Sequence, residues 1–333
     1  MKKATVLGDG GWGTALALLL LANGHDVTLW GHSPEDLNVI RKKRENKYLK
    51  GVFIPTDLKL ESDPETAVKD AELIVLAIPS QFMRESLGRF VNILDPHKCP
   101  IVDVAKGIEN DTLMRMSEVF EELFGKTEQY VVLSGPSHAE EVSRGIPTAV
   151  VAASKNENAL KIVQESFMSE TFRVYTTDDV IGVELGGALK NVLAIASGIC
   201  DGMGFGDNTK AALMTRGIVE IARLGSILGG RKETFSGLSG VGDLIVTCMS
   251  KHSRNRFVGE CLGKGKSMKE ICEEMDGSVA EGVYTAISAL ELAEKHGIET
   301  PLFRAVHDII YEGLPPAEAV YNLMNRAAKP ETL

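Results

Sequence analysis

Residues Ala4-Thr5-Val6-Leu7-Gly8-Asp9-Gly10-Gly11-Trp12-Gly13-Thr14-Ala15 join a short apolar run to a glycine-rich turn and a second apolar stretch. The turn has the spacing G-x-G-x-x-G. Alone the pattern is weak, but between a strand and a helix it gains a mechanical meaning. Gly8 permits the tight turn, Gly10 lets backbone approach a pyrophosphate, and Gly13 lets the helix lie close to the sheet. The helix start offers unpaired N–H groups and partial positive charge to phosphates. Thr14 to Ala22 is apolar throughout and closes at Asn23-Gly24, a helix C-terminal signal.

Further along, apolar runs alternate with helical stretches. Val27 to Trp30, Leu73 to Ile78, Ile101 to Ala105 and Tyr130 to Leu133 read as strands, with Thr148 to Ala153 and Phe172 to Tyr175 as two more. Continuous apolar strands separated by helices predict a parallel sheet covered on both faces. After Thr177 the pattern turns helical, with long periodicities such as Asp178 to Ser197, Lys210 to Leu228 and Ala280 to His296. The predicted architecture is an α/β Rossmann-type doubly wound parallel sheet over residues 1–177, followed by an all-helical domain over residues 178–333.

The 333 residues are enough for two domains and a substantial core. A net charge of −10 argues against a nucleic-acid partner, because the chain repels phosphate backbones on average. Five cysteines without a C-x-x-C pair fit a reducing compartment. The N-terminus runs straight into a strand, and the longest apolar stretch is too short to span a bilayer. The expectation is a cytoplasmic protein without membrane insertion. No clustered Cys/His set suggests a metal.

Where an NAD-specific site carries Asp or Glu, at the end of the second strand, this chain has Gly31-His32-Ser33. With no carboxylate there, and with His32 and Ser33 able to donate to a 2′-phosphate, the segment predicts tolerance of NADP, even preference. Alternatively Glu35 or Asp36 swings back and restores NAD. Ligands of such sheets sit beyond the strands' carboxyl ends, where Lys106-Gly107 and Ser134-Gly135-Pro136-Ser137-His138-Ala139-Glu140 stand. His138 suits a general base by type, or simply a helix start.

In the helical half, Gly186 and Gly187 are costly within a helix and precede Lys190 by four and three residues. A helical side chain leans over the preceding turn, so Lys190 would cross a groove without side chains. The alternative is close helix packing with a snorkelling lysine. Gly240-Val241-Gly242-Asp243 places Asp243 near a helix start, as a site residue or an N-cap. Ser253-Arg254-Asn255 lies in a basic hexamer of an acidic chain. Arg254 suits a phosphate fork with neutral donors beside it, or a solvated loop.

Taken together, Gly8 to Ala15, Ala105-Lys106-Gly107, Ser134-Gly135-Pro136-Ser137, Gly186-Gly187-Ala188-Leu189-Lys190-Asn191, Gly240 to Leu244, Ser253-Arg254-Asn255 and Val279-Ala280-Glu281-Gly282 resemble the bacterial-type NAD(P)-dependent glycerol-3-phosphate dehydrogenases. The resemblance implies reduction of dihydroxyacetone phosphate to sn-glycerol 3-phosphate with NADP or NAD, for glycerophospholipid synthesis. It implies a second domain like the C-terminal domain of 6-phosphogluconate dehydrogenase. It implies Lys190 as proton donor and acceptor with Asp243 beside it. Lys106, Gly135, Ser137, Asn191, Asp243, Ser253, Arg254 and Asn255 are the implied substrate residues. Gly11, Trp12, His32, Lys106, Ala139, Arg254, Val279 and Glu281 are those implied for the cofactor. A homodimer is the expected assembly. The chemistry is coherent: negative charge growing on a ketone oxygen is stabilised by an ammonium that then yields its proton. A desolvated site beside Lys106 would lower the pKa of Lys190, and Asp243 would oppose that drop.

Overall fold

A computed structural model describes residues 2–275, 280–328 and 330–331. The apolar runs form one eight-stranded sheet: β1 (Lys3–Leu7), β2 (Asp26–Trp30), β3 (Lys59–Glu61), β4 (Leu73–Leu76), β5 (Ile101–Asp103), β6 (Tyr130–Ser134), β7 (Thr148–Ala153) and β8 (Phe172–Thr177). The order is β3-β2-β1-β4-β5-β6-β7-β8, and the chain reverses direction across the sheet between β1 and β4. The connecting helices are α1 (Gly11–Ala22), α2 (Pro34–Lys43), α3 (Pro64–Val68), α4 (Met83–Gly88), α5 (Met116–Phe124), α6 (Ala139–Val142) and α7 (Glu157–Phe167). Separate apolar clusters bury the two faces, one around Val6, Val75 and Leu133, the other around Leu7, Leu76 and Phe120.

Two features differ from the sequence expectation. The sheet is not wholly parallel: β7 runs antiparallel to β6, and β8 parallel to β7. Between β6 and β7 the chain makes only the one-turn α6, so it stays at one end of the sheet and re-enters as a neighbour would after a hairpin. The edge strand β3 went unread because three residues with one apolar side chain give no periodicity.

Beyond β8 the described chain is helical: α8 (Val180–Gly202), α9 (Asp207–Ile227), α10 (Lys232–Phe235), α11 (Asp243–Met249), α12 (Arg254–Gly263), α13 (Met268–Glu274), α14 (Glu281–Lys295), α15 (Pro301–Tyr311) and α16 (Pro316–Met324). α8 is the axle of this half. Asp179 caps its start by accepting from the Gly182 N–H at 3.0 Å. Gly182 to Cys200 are all buried, in a core with Ile221, Leu244, Val258 and Ala286. α8 is long and apolar enough to cross a membrane, yet 83% of its most apolar window is buried inside the protein. Its contact with α12 is made by glycines on both sides. A Cβ on Gly198 would lie 2.0 Å from the Arg256 carbonyl oxygen, and one on Gly259 1.9 Å from that of Ile195. Backbones this close leave no room for a methyl group.

Candidate active site

In the glycine loop the tight turn and the close helix contact that the spacing predicts are both present. Gly8 sits at φ 120°, where a Cβ would also strike the Ala77 carbonyl oxygen at 2.3 Å. A Cβ on Gly13 would lie 2.0 Å from the Gly8 oxygen, so α1 presses against the turn. Gly10 is the exception: a Cβ there would meet nothing within 4 Å. It is the N-cap of α1, and no side chain caps the helix. The helix start is thus uncrowded at Gly10, although a Cβ on the next residue, Gly11, would meet the Tyr48 carbonyl oxygen at 2.6 Å; its first N–H groups suit a pyrophosphate. Beside it the buried Trp12 Nε1 has no hydrogen-bond partner among the described residues. These features fit a dinucleotide.

At the end of β2 the two expected donors differ. His32 is exposed. The Ser33 hydroxyl caps α2, accepting from the Asp36 N–H at 3.1 Å, and lies 3.2 Å from the Glu35 carboxylate. It is therefore committed to the helix rather than held ready for a 2′-phosphate. Asp36 pairs with Lys47 at 3.1 Å, while the Glu35 carboxylate turns back to the Ser33 hydroxyl at the strand end. A second carboxylate stands here, from a place the strand-end reading did not consider: Asp9 of the glycine loop, whose Oδ2 lies 2.7 Å from where a Gly31 Cβ would be.

The chemical centre forms where β5 and β6 end against the helical half. Lys106 donates to the Gly135 carbonyl at 2.9 Å, to Ser137 Oγ at 3.4 Å and to Asp243 Oδ2 at 2.7 Å. Lys190 donates to the other oxygen of the same carboxylate and to Thr247 Oγ1 at 2.6 Å. One buried carboxylate thus bridges two lysines. Asp243 is the first residue of α11 but caps nothing; it follows a π-turn over Leu238–Gly242 and is 1% exposed. Burial raises its pKa, but Lys106 and Lys190 outweigh burial and hold it below the ordinary carboxylate value. Lys190 is 4% exposed. Burial, reinforced by Lys106 and opposed by Asp243, brings its pKa down to about 8.

The Gly186-Gly187 ledge is not empty. A Cβ on Gly187 would meet Ser134 Oγ at 2.7 Å and the Lys106 stem at 3.6 Å, and one on Gly186 the Ser239 carbonyl at 2.8 Å. The bare turns thus admit the end of β6, the π-turn and Lys106. Close packing and lysine placement are one device.

Asn191 donates to the Lys106 carbonyl at 2.8 Å and accepts from Asn255 Nδ2 at 2.9 Å, while Asn255 Oδ1 accepts from the Gly282 N–H at 2.9 Å. The side-chain amide of Asn255 is therefore used at both ends within the protein. Likewise Ser253 Oγ caps α12 by accepting from the Arg256 N–H. Of the basic segment, Arg254 is left exposed at the first position of α12. Glu281, at the start of α14, accepts from the Ser80 N–H at 2.9 Å and from the Ser80 hydroxyl. Gly135 holds φ 138°, which turns its carbonyl to Lys106 and Ser137. Ala139 opens α6. His138 occupies the N-cap position without capping, and its buried Nε2 has no hydrogen-bond partner among the described residues. Val279 lies outside the described residues.

Residues 3–160 match the sequence family described as NAD-dependent glycerol-3-phosphate dehydrogenase N-terminus, and residues 179–321 the corresponding C-terminus. The chain belongs to the NAD-dependent glycerol-3-phosphate dehydrogenase family. A glycerol-3-phosphate dehydrogenase, NAD(P)+, of Pelotomaculum thermopropionicum is 53% identical over 97% of this chain and 93% of its own. That of Bacillus subtilis is 50% identical over 98% and 95%. A crystal structure of glycerol-3-phosphate dehydrogenase from Coxiella burnetii superposes with a TM-score of 0.93 at 40% identity, covering 98% of this chain and 99% of the other. Of the motifs that carried the resemblance, Lys106, Gly135, Ser137, Lys190, Asn191, Asp243 and Asn255 are joined by hydrogen bonds among the described residues. Two partners of this polar centre escaped sequence reading. Thr247 stands one helical turn after Asp243, a spacing that could have flagged it. Ser239, buried within the π-turn, bridges Ser134 at 3.1 Å to the Val183 carbonyl at 2.6 Å.

Proposed function

We propose that this chain reduces dihydroxyacetone phosphate to sn-glycerol 3-phosphate reversibly, with NADH or NADPH, and that Lys190 carries the proton. The nicotinamide, when bound, supplies the hydride. Lys190, as the ammonium, neutralises charge growing on the ketone oxygen and gives that oxygen a proton; in the reverse direction the neutral amine takes it back. The single observation that carries the reading is the buried Lys190–Asp243–Lys106 bridge at the strand ends. Asp243 anchors both ammonium groups on either side of the carboxylate and keeps Lys190 from losing its proton outright. Thr247 fixes the second direction of the Lys190 Nζ. Arg254, exposed at a helix start, takes the substrate phosphate, so binding energy from the non-reacting end orients the carbonyl. Gly8, Gly10, Gly11, Trp12 and Gly13 hold the cofactor, with His32, Ala139 and Glu281 along its course.

Residues 1–177 would bind the cofactor and 178–333 supply the catalytic groups. The product is the backbone of glycerophospholipids. We read the enzyme as cytoplasmic and homodimeric; the apolar side chains exposed on α16, Tyr321 and Met324, favour a partner.

The test is oxidation of NADH or NADPH, followed by absorbance, on addition of dihydroxyacetone phosphate. No oxidation of either cofactor ends the reading. Lys190→Ala should lose at least roughly a hundredfold in kcat while still binding cofactor. Near-normal turnover in that variant would clear the lysine of the role.

A further inference from the structure

The position that usually selects between the two nicotinamide dinucleotides lies just past the second strand, where a carboxylate accepts from the adenosine ribose 2′-hydroxyl and excludes a 2′-phosphate. Here that position begins with Gly31, and the carboxylate of Asp9 occupies the room a side chain would need. Asp9 Oδ2 lies 2.7 Å and its Cγ 2.8 Å from a Cβ built on Gly31. The glycine and the aspartate are complementary: the strand end gives up its side chain and the phosphate-binding turn supplies one. Among the described residues no side chain donates a hydrogen bond to this carboxylate. Lys47, the nearby ammonium, is held by both oxygens of Asp36, at 3.1 and 3.2 Å. Ser33 is spent on capping α2 and on Glu35. The acidic groups at this corner thus have their cations and hydroxyls paired off, except Asp9. Burial, with Asp36 beside it, raises the Asp9 pKa against the opposing pull of a backbone N–H, Lys47 and His32.

We propose that Asp9 is the cofactor-specificity residue of this enzyme: it accepts from the 2′-hydroxyl of NADH and repels the 2′-phosphate of NADPH. The proposal rests on the dinucleotide reading of the glycine loop. It reverses the preference that the strand-end residues alone suggest, because Asp9 reaches that place through space and not along the strand.

Dissociation constants decide it without turnover. NADH and NADPH are titrated by tryptophan quenching, and ADP and 2′,5′-ADP by calorimetry, on the full chain and on Asp9→Asn. The unmodified enzyme should bind NADH and ADP roughly tenfold or more tighter than their 2′-phosphorylated counterparts. Asp9→Asn should bring the ratio towards one, chiefly by tightening NADPH and 2′,5′-ADP. Asp9→Ser, checked by an unchanged unfolding temperature, should do the same if asparagine disturbs the turn. A preference for NADPH in the unmodified enzyme, or an equal change for both cofactors in the variants, overturns the proposal. Failure of the unmodified enzyme to bind either dinucleotide overturns the dinucleotide reading itself, and this assignment with it.

Discussion

In the proposed mechanism Lys190 is an acid in one direction and a base in the other, and a pKa near 8 serves both at neutral pH. The sign of its pH dependence follows. Ketone reduction needs the ammonium, so its kcat should hold below about 8 and fall as pH rises through that value. Alcohol oxidation needs the free amine and should rise through the same value. Thr247 accepts from the ammonium at 2.6 Å and so favours the charged form. Thr247→Val should therefore move both profiles to lower pH and cost roughly tenfold in kcat. Steady-state rates in both directions from pH 6 to 10 would check this. A variant that is merely slower, with unmoved profiles, refutes the role given to Thr247. Lys190 was legible because two glycines beside a lysine are expensive in a helix. Thr247 was less so: its spacing of four residues from Asp243 is visible in the sequence, but it gains meaning only once Asp243 is seen to hold the lysine. Ser253 and Asn255 show the converse. Their type suited a phosphate, but the fold spends them on a cap and on a chain of amides between α8 and α14.

Among the elements, α8 and α12 matter most. α8 carries Lys190 and Asn191, and α12 presents Arg254 from its first turn. Their backbones meet through Gly198 and Gly202 on one side and Gly259 and Gly263 on the other. Gly259→Ala should push α12 off α8, lowering stability by roughly 2–3 kcal/mol and raising KM for the phosphate substrate. Urea unfolding together with substrate titration measures both. An alanine accepted without loss would show that the helices have slack. The glycine pairs were visible in the sequence, but Gly-x-x-x-Gly says only that something comes close. The reversal at β7 was equally hidden. An apolar strand reads the same in both directions, and only the short excursion through α6 decides which way it runs.

For the whole molecule, the site lies between the halves and shares their connections. Glu281 holds Ser80, Asp243 holds Lys106, Asn191 holds the Lys106 carbonyl and Ser239 meets Ser134. Farther from the chemistry, Glu184 of α8 accepts from the Ser117 N–H and hydroxyl, each at 2.8 Å, and is paired with Arg115. Glu184 is 7% exposed. Glu184→Ala leaves the Arg115 guanidinium in a largely buried place with Glu118 as its remaining counter-charge and the Ser117 hydroxyl beside it. The expected cost is roughly 3 kcal/mol in unfolding free energy. Calorimetry should show a lower transition temperature, while the kcat pH profile stays centred near 8 because the lysine bridge is intact. Unchanged stability would mean that the halves are held by their other contacts alone.

By itself the sequence determined the local devices: the strand, glycine turn and helix that open the chain, the change from alternating to helical pattern after Thr177, and the lysine set above paired glycines. Each is written in neighbouring residues, so the backbone's own periods and steric limits suffice to read it. Only the tertiary structure decided which donors remain available. It gave one carboxylate two lysines, turned Asn255 inward, and brought Asp9 to the end of β2. The physical reason is that a polar group's function depends on who shares its hydrogen bonds and how much water it keeps, and here the deciding partners stand tens of residues apart along the chain, or more than a hundred.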